Sequence, residues 1–401
     1  MRDRDLHVIV GAVGLSALGD FLAVVPLALA LHERTGSGLA VAGLFVALWA
    51  PVALLGGPAG LLVDRVESRS LLLWVSLAQA AAAAALAFVD GLAPILVLTA
   101  LIGTGFAVAQ PAEFALLPAA VGEGRLAVAN GRVETARYVG FTLGPLAGGA
   151  LAAAGGTRLA LLLNAATFVI VAAGAAILRC RRPPRPARKG AAPERARDGF
   201  LFLLRHATLG PVMAVAVVSL LFMTASATAE VFFAKDVLRV GDGGYGALMT
   251  VWTLGMAVGS MAIARRVAAA GFATAALVAI AVQGAGLAIP TLWLAFGFAL
   301  GAYLLGGAAH GVKNVLVRTL LHTEVPDELR GRAFAAYNSA RNAAELAALV
   351  GGGLLISVLG ARWTLLLAGA LPVLVAAAAL ARGWTPARPR LAEVKLLGGG
   401  R

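Results

Sequence analysis

The sequence predicts an all-α integral membrane protein with twelve transmembrane helices arranged as two six-helix pseudo-repeats. Three observations carry this prediction. The 401-residue chain is 60% hydrophobic and only 13% charged, where soluble chains carry about a quarter charged residues, and its mean hydropathy is +0.88. Apolar runs close to the ~20 residues needed to cross a hydrocarbon core recur along its whole length. Residues shifted by 204 positions also match, without a gap, over a long stretch.

Taken in order, polar breaks leave apolar spans at 7–31, 38–62, 71–89, 92–116, 132–154, 159–179, 209–233, 244–264, 272–290, 293–316, 334–358 and 362–382. The first run is too long for a signal-peptide core and lacks a small-residue cleavage site, so it reads as a retained helix. The run at 244–264 is the weakest, and only a tight break around Pro290 separates the ninth span from the tenth. With the N-terminus placed in the cytoplasm, 25 lysines and arginines fall in inside segments and 5 in outside ones. That bias follows the positive-inside rule. It puts both termini and the central loop in the cytoplasm, in the cytoplasmic (inner) membrane of a cell. The net charge of +13 is thereby a matter of topology, and no nucleic-acid partner is implied.

The stretch RCRRPPRPARKGAAPERARDG at 179–199 is the one long polar segment, and its proline and arginine content reads as a flexible linker. The expected organisation is an N-terminal six-helix bundle at 1–180, a basic cytoplasmic linker at 181–205, and a C-terminal bundle with a short tail at 206–401. GFLFLLRHATL at 199–209 reads as an interfacial helix leading into the seventh span.

The repeat pairs Leu116 and Leu117 with Leu320 and Leu321, Val121 with Val325, and Ala136 and Arg137 with Ala340 and Arg341. It continues through Gly148 and Gly149 with Gly352 and Gly353, Gly156 with Gly360, and Arg158 with Arg362. Matches of leucine or alanine are easily accidental in such a composition, but arginines at fixed distances from paired glycines are not. Parallel repeats of this kind place a substrate site near the bilayer midplane between the halves.

The fifth span is unusual. Gly131, Gly140, Gly144, Pro145, Gly148 and Gly149 would break most helices in water, since each interior glycine costs about 1 kcal/mol relative to alanine. In a bilayer such a helix survives, and its small residues let another backbone come close. The expectation is a bendable helix, kinked at Gly144-Pro145, that seals one side of a cavity.

Motifs now add a family. Gly60-Leu-Leu-Val-Asp64-Arg65-Val-Glu-Ser-Arg69, between spans two and three, resembles the loop motif of the major facilitator superfamily, with Glu67 and Ser68 in place of the usual glycine and first basic residue. The fifth-span spacing is similar to the motif of proton-coupled drug antiporters at every fixed position. Leu18-Gly19-Asp20 and TLLHTEVPDELRGRAFAAYNSAR at 319–341 resemble the transmembrane secretion effector branch, which includes the enterobactin exporter. The resemblance implies that Gly60, Asp64, Arg65 and Arg69 form a cytoplasmic gate, with charge interactions between helices two and eleven holding the outward-open state. One position departs from the antiporter pattern. Four residues before Gly103 stands Thr99 rather than arginine, so the proton-relay role of that arginine does not carry over.

Other residues stand out on physical grounds. Asp20 lies inside an apolar span, where an ionisable side chain costs about 2.5–3.5 kcal/mol on insertion scales and normally faces a cavity or a partner. Such a carboxylate suits a group that gains and loses a proton. Asp20 and Glu113 are therefore the candidates for proton coupling or substrate contact. Glu134 and Arg137 are three apart, and Arg341 and Glu345 four apart, so each pair shares a helix face; both read as structural ion pairs. Glu230 reads as structural. The five histidines make no metal spacing, the single cysteine allows no internal disulfide, no phosphate-binding loop is present, and no cluster of nucleophile and base emerges. No metal, cofactor or enzymatic activity is expected.

The reading that follows is a monomeric secondary transporter that exports a small amphipathic or hydrophobic molecule, such as a drug, siderophore or secondary metabolite, by alternating access against a proton gradient. A facilitator or lipid translocator without proton coupling is the alternative, and a non-transporting receptor or scaffold the remote one.

Overall fold

The structure is a computed structural model that describes residues 2–121, 125–183, 200–263 and 271–382. Most of the expected linker (184–199), Arg265, Arg266 and the C-terminal tail lie outside the described residues. The described chain is helical, with no strand among the described residues. The first six helices are α1 (Arg2–Thr35), α2 (Gly38–Arg65), α3 (Ser68–Leu86), α4 (Leu92–Val121), α5 (Leu126–Ala153) and α6 (Thr157–Ile177). A short helix at 200–205 precedes α7 (Leu209–Phe232), which ends in a wider turn at Phe233–Val237, then α8 (Gly241–Ile263), α9 (Phe272–Leu292) and α10 (Phe296–Glu324). The last stretch, Asp327–Ala381, is two helices run together, broken where Gly360 adopts φ 76° and ψ 164°. We number them α11 (327–359) and α12 (361–381). An L side chain rarely adopts that backbone conformation, so the glycine sets the break, and the described residues hold twelve long helices besides the short one at 200–205.

Among the described residues, eight helical stretches are long and apolar enough to cross a membrane, one of them, Ala336–Ala381, holding most of α11 and all of α12. The helices α5, α8 and α10 are not among them; α5 and α10 carry charged side chains described below. Large apolar side chains such as Leu54, Trp74, Val358 and Trp363 stand exposed on the outside of the bundle, the surface a lipid environment would cover.

The pseudo-repeat extends to individual hydrogen bonds. Arg158 Nε donates to the carbonyl of Ala87 at 2.9 Å, and Arg362 Nε donates to the carbonyl of Thr291 at 2.8 Å. Donors and acceptors are both related by the 204-residue shift. Each bond ties the start of α6 or α12 to the end of α3 or α9.

The two halves meet at one end of the bundle, opposite the N-terminus. A Cβ on Gly149 (α5) would lie 2.9 Å from Asp242 O and 3.0 Å from Gly246 Cα of α8. A Cβ on Gly353 (α11) would lie 2.7 Å from Ala42 Cβ and 3.1 Å from Gly38 O of α2. These contacts are again related by the repeat: 149 with 353, 242 with 38, and 246 with 42. One hydrophobic core runs through both halves there, from Leu44 and Leu86 to Phe233, Tyr245 and Leu365. At the end nearer the N-terminus the cores are separate, one around Leu6, Leu116 and Val133 and another around Leu209, Leu277 and Leu320. The bundle is therefore sealed at the far end and divided at the near end.

Candidate functional site

Three glycines of α5 place the N-terminal half of the site. At Gly140 a Cβ would lie 2.5 Å from Gly14 O, at Gly144 2.8 Å from Leu18 O, and at Gly148 3.0 Å from Leu22 O. Spaced by four, they form one face on which α1 lies backbone to backbone. Gly149, one residue on, turns to α8. Gly131 meets nothing within 4 Å. Pro145 sits inside a continuous α5, and its carbonyl would lie 2.5 Å from a Cβ on Gly246. The motif glycines thus serve two contacts, one within the half and one between halves.

Gly19 has a similar part on α1, where a Cβ would lie 2.6 Å from Asn164 Oδ1 of α6. Next to it, Asp20 opens into a cavity of about 120 Å³ that Glu113 and Arg137 also line, with Phe21, Trp49, Phe106 and Phe141 around them. Asp20 Oδ1 is buried and has no hydrogen-bond partner among the described residues. Arg137 NH2 lies 3.7 Å from Glu113 Oε2 and its Nε 3.7 Å from Glu134 Oε1. These are ion pairs beyond hydrogen-bond distance. The guanidinium also sits 5.7 Å from the centre of the Phe114 ring.

The C-terminal half has a cavity of about 520 Å³ at the related place, lined by His310, Lys313, Asn314, Arg341 and Glu345 among others. Its positions correspond to those of the first cavity: Phe106 to His310, Ala109 to Lys313, Gln110 to Asn314, Arg137 to Arg341, and Phe141 to Glu345. Arg341 Nε donates to Glu345 Oε1 at 3.1 Å. Lys313 is 3% exposed. His310 Nδ1 lies 3.0 Å from Met223 Sδ, and its ring is 6.0 Å from Trp252. Glu230 lies apart from this cavity, buried, with Oε1 accepting from Ser226 Oγ at 2.8 Å.

The loop motif at the near end is bound within its own half. Arg182 NH2 donates to Asp64 Oδ1 at 2.7 Å, and its NH1 to the carbonyl of Val63 at 3.1 Å. Arg69 Nε donates to Ala175 O at 3.0 Å, at the end of α6. Arg65 is exposed, and a Cβ on Gly60 would meet nothing within 4 Å. Among the described residues, Asp64 has no partner on α11, the helix that the resemblance implied.

At the far end a charge cluster spans the halves. Lys235 Nζ lies 2.9 Å from Glu33 Oε1 and also pairs with Asp242, and His32 Nε2 lies 3.1 Å from Asp236 Oδ1. No motif or spacing in the sequence ties these residues together. Lys313 is a charge within an apolar span, and His310 is one of five scattered histidines. The signal that could have found Lys313 was the one that found Asp20, an ionisable residue in an apolar run. Among the described residues no group of three histidine, cysteine, aspartate or glutamate side chains could hold a metal.

Comparison with known proteins agrees with this architecture. Residues 9–348 match the Major Facilitator Superfamily. An uncharacterized MFS-type transporter, YfiS of Bacillus subtilis (strain 168), is 24% identical over 389 residues, covering 93% of this chain and 92% of that protein. Among solved structures, a variant of the nucleoside transporter NupG superposes with a TM-score of 0.76 at 12% identity, covering 94% of this chain and 99% of that one. A POT family transporter in complex with 5-aminolevulinic acid gives 0.75 at 11% identity, with 96% and 97% covered. An inward-facing, unoccupied bacterial homolog of the human lysosomal transporter Spinster gives 0.70 at 15%, with 96% and 97% covered.

Proposed function

The chain belongs to the Major Facilitator Superfamily and is a multi-pass membrane transporter, and from that premise we propose that it exports a small amphipathic molecule in exchange for protons. The observation that carries this reading is the presence of Asp20 and Glu113 in one largely apolar cavity. The fifth-helix glycine pattern shared with drug antiporters favours export. The basic near end is taken as cytoplasmic, so that the far-end seal faces outward and the described state opens inward.

The carboxylates then couple the two fluxes by deciding which form of the empty carrier can reset. A bare carboxylate is costly to carry through a closed, low-dielectric bundle. Facing the cytoplasm, Asp20 and Glu113 release their protons and the cavity takes up cargo. Facing outward, the cargo leaves and protons return to the same oxygens. The empty carrier resets only when its acids are neutral, so an unproductive proton leak is suppressed. Arg137, held loosely between Glu113 and Glu134, is free to follow whichever of them is ionised.

A facilitator without coupling is the second reading, and Thr99 is the observation in its favour. It stands where the antiporter pattern has arginine, buried and with Oγ1 unpartnered among the described residues. Everted membrane vesicles separate the two. Uptake of a fluorescent amphiphile that collapses when the proton gradient is dissipated supports exchange; uptake that continues unchanged removes it.

A further inference from the structure

We propose that the cavity of the C-terminal half is an anion seat, so that the cargo is an amphipathic organic anion whose acidic group docks on Lys313, an assignment that rests on the transporter reading above. Three cationic side chains, Lys313, Arg318 and Arg341, line this cavity of about 520 Å³ with one carboxylate, Glu345. That carboxylate is already engaged, accepting from Arg341 Nε at 3.1 Å. Lys313 is 3% exposed and makes no hydrogen bond or ion pair among the described residues.

A buried ammonium left without a counter-charge is strongly unfavourable inside a membrane bundle. An anionic group entering from the open near end supplies that charge. Lys313 is a compact point charge on a flexible stem, and it suits a carboxylate, sulfonate or phosphate without demanding a fixed geometry. Asn314 and Asn338 line the same cavity and offer amide donors to the remaining oxygens.

The other half supplies the complement. At the position related to Lys313 stands Ala109, and at the position related to Glu113 stands Val317. Each half keeps its arginine and differs in the charge beside it. The related cavity of the N-terminal half carries Phe21, Trp49, Phe106 and Phe141, and these suit the apolar body of the cargo.

Three matched fluorescent probes test the assignment on the purified full-length protein in detergent: dansylglycine (anionic), dansylamide (neutral) and a dansyl quaternary ammonium (cationic). Dansylglycine is expected to bind about tenfold or more tighter than the other two. Lys313→Gln should remove that preference, while Lys313→Arg should hold it to within roughly threefold. Equal binding of the three probes, preference for the cation, or unchanged dansylglycine binding by Lys313→Gln overturns it. If Lys313→Gln does not fold, the ranking of the three probes on the unsubstituted protein decides. Because no proton gradient enters this titration, loss of gradient-driven uptake with intact dansylglycine binding counts against proton exchange alone.

Discussion

Lys235 Nζ stands 2.9 Å from Glu33 Oε1, and the pair joins the two halves of the bundle at its sealed end. Lys235 also engages Asp242 of the next helix, so a single ammonium ties α1 to the α7–α8 corner. With Glu33 exposed, a pair of this kind holds the seal by about 0.2–1 kcal/mol, which is a factor of about 1.4–5 in population. Lys235→Ala should therefore raise the fraction of molecules open at the far end by that factor. Spin labels on α2 and α11 at that end, read by distance measurement, check it; an unchanged distance distribution would show that the pair contributes nothing to the seal.

Gly149 and Gly131 belong to one motif but sit in unlike places. Gly149→Val puts a branched side chain where Asp242 O is already 2.9 Å from the Cβ position, so the far end cannot close and transport should be lost while expression persists. Gly131→Ala, with nothing within 4 Å, should keep transport to within about twofold. Expression level and vesicle uptake, measured together, distinguish a failed seal from a failed fold.

Asp20→Asn and Glu113→Gln keep size and remove the ionisable oxygen. Each should abolish gradient-driven accumulation by about tenfold or more. Energy-independent exchange of preloaded substrate should survive in at least one of them, since the cavity itself remains. Full gradient-driven activity in both variants would leave the carboxylates without a coupling role.

Arg158 and Arg362 make the same bond in the two halves. A hydrogen bond from a charged donor contributes about 1.5–3 kcal/mol, so alanine at either position should destabilise the fold by about that energy and lower the melting temperature. Arg158 also lies over the Phe88 ring at 5.1 Å, which makes its loss the larger of the two. Thermal unfolding followed by the fluorescence of a thiol-reactive dye on the purified protein measures both.

Cys180 lies beyond the end of α6, half-buried, where Asp5 Oδ2 accepts from its backbone N–H at 2.8 Å. Burial, and then the Asp5 carboxylate, push its thiol from the ordinary 9.0 up to about 11. Maleimide labelling should therefore climb with pH toward about 11 rather than levelling near 9. Asp5→Asn should speed labelling several-fold at pH 8. Because the folded state favours the neutral thiol, its contribution to stability is present below pH 9 and is lost as the pH rises through about 11.

Much of the fold could be read from the sequence because its signals were periodic. The four-residue spacing of Gly140, Gly144 and Gly148 is a helix face, and the structure lays α1 on it. The 204-residue shift pointed to Arg158 and Arg362 before any bond was seen. The partners were less legible. Asp64 meets Arg182 from 118 residues away, and no local pattern ties a loop aspartate to an arginine at the start of a linker. The Glu33–Lys235 pair spans 202 residues and joins two segments that each look like an ordinary polar turn. Lys313 was visible as a charge in an apolar run. Its meaning depended on knowing that Glu345 is already taken by Arg341, which is a three-body fact that a linear spacing does not contain.

At the far end, Gly149 with Gly246 and Gly38 with Gly353 bring the two halves together backbone to backbone. Interlocked side chains must find their rotamers again each time two surfaces come together, and that search takes time and costs side-chain entropy. Glycine has no rotamers to lose. Two smooth strips of backbone can part and meet again at the pace of the rigid bodies that carry them, with the short list of charges around Lys235 choosing the register. On this reading the glycines set how fast the carrier cycles, while the charges set which way it rests.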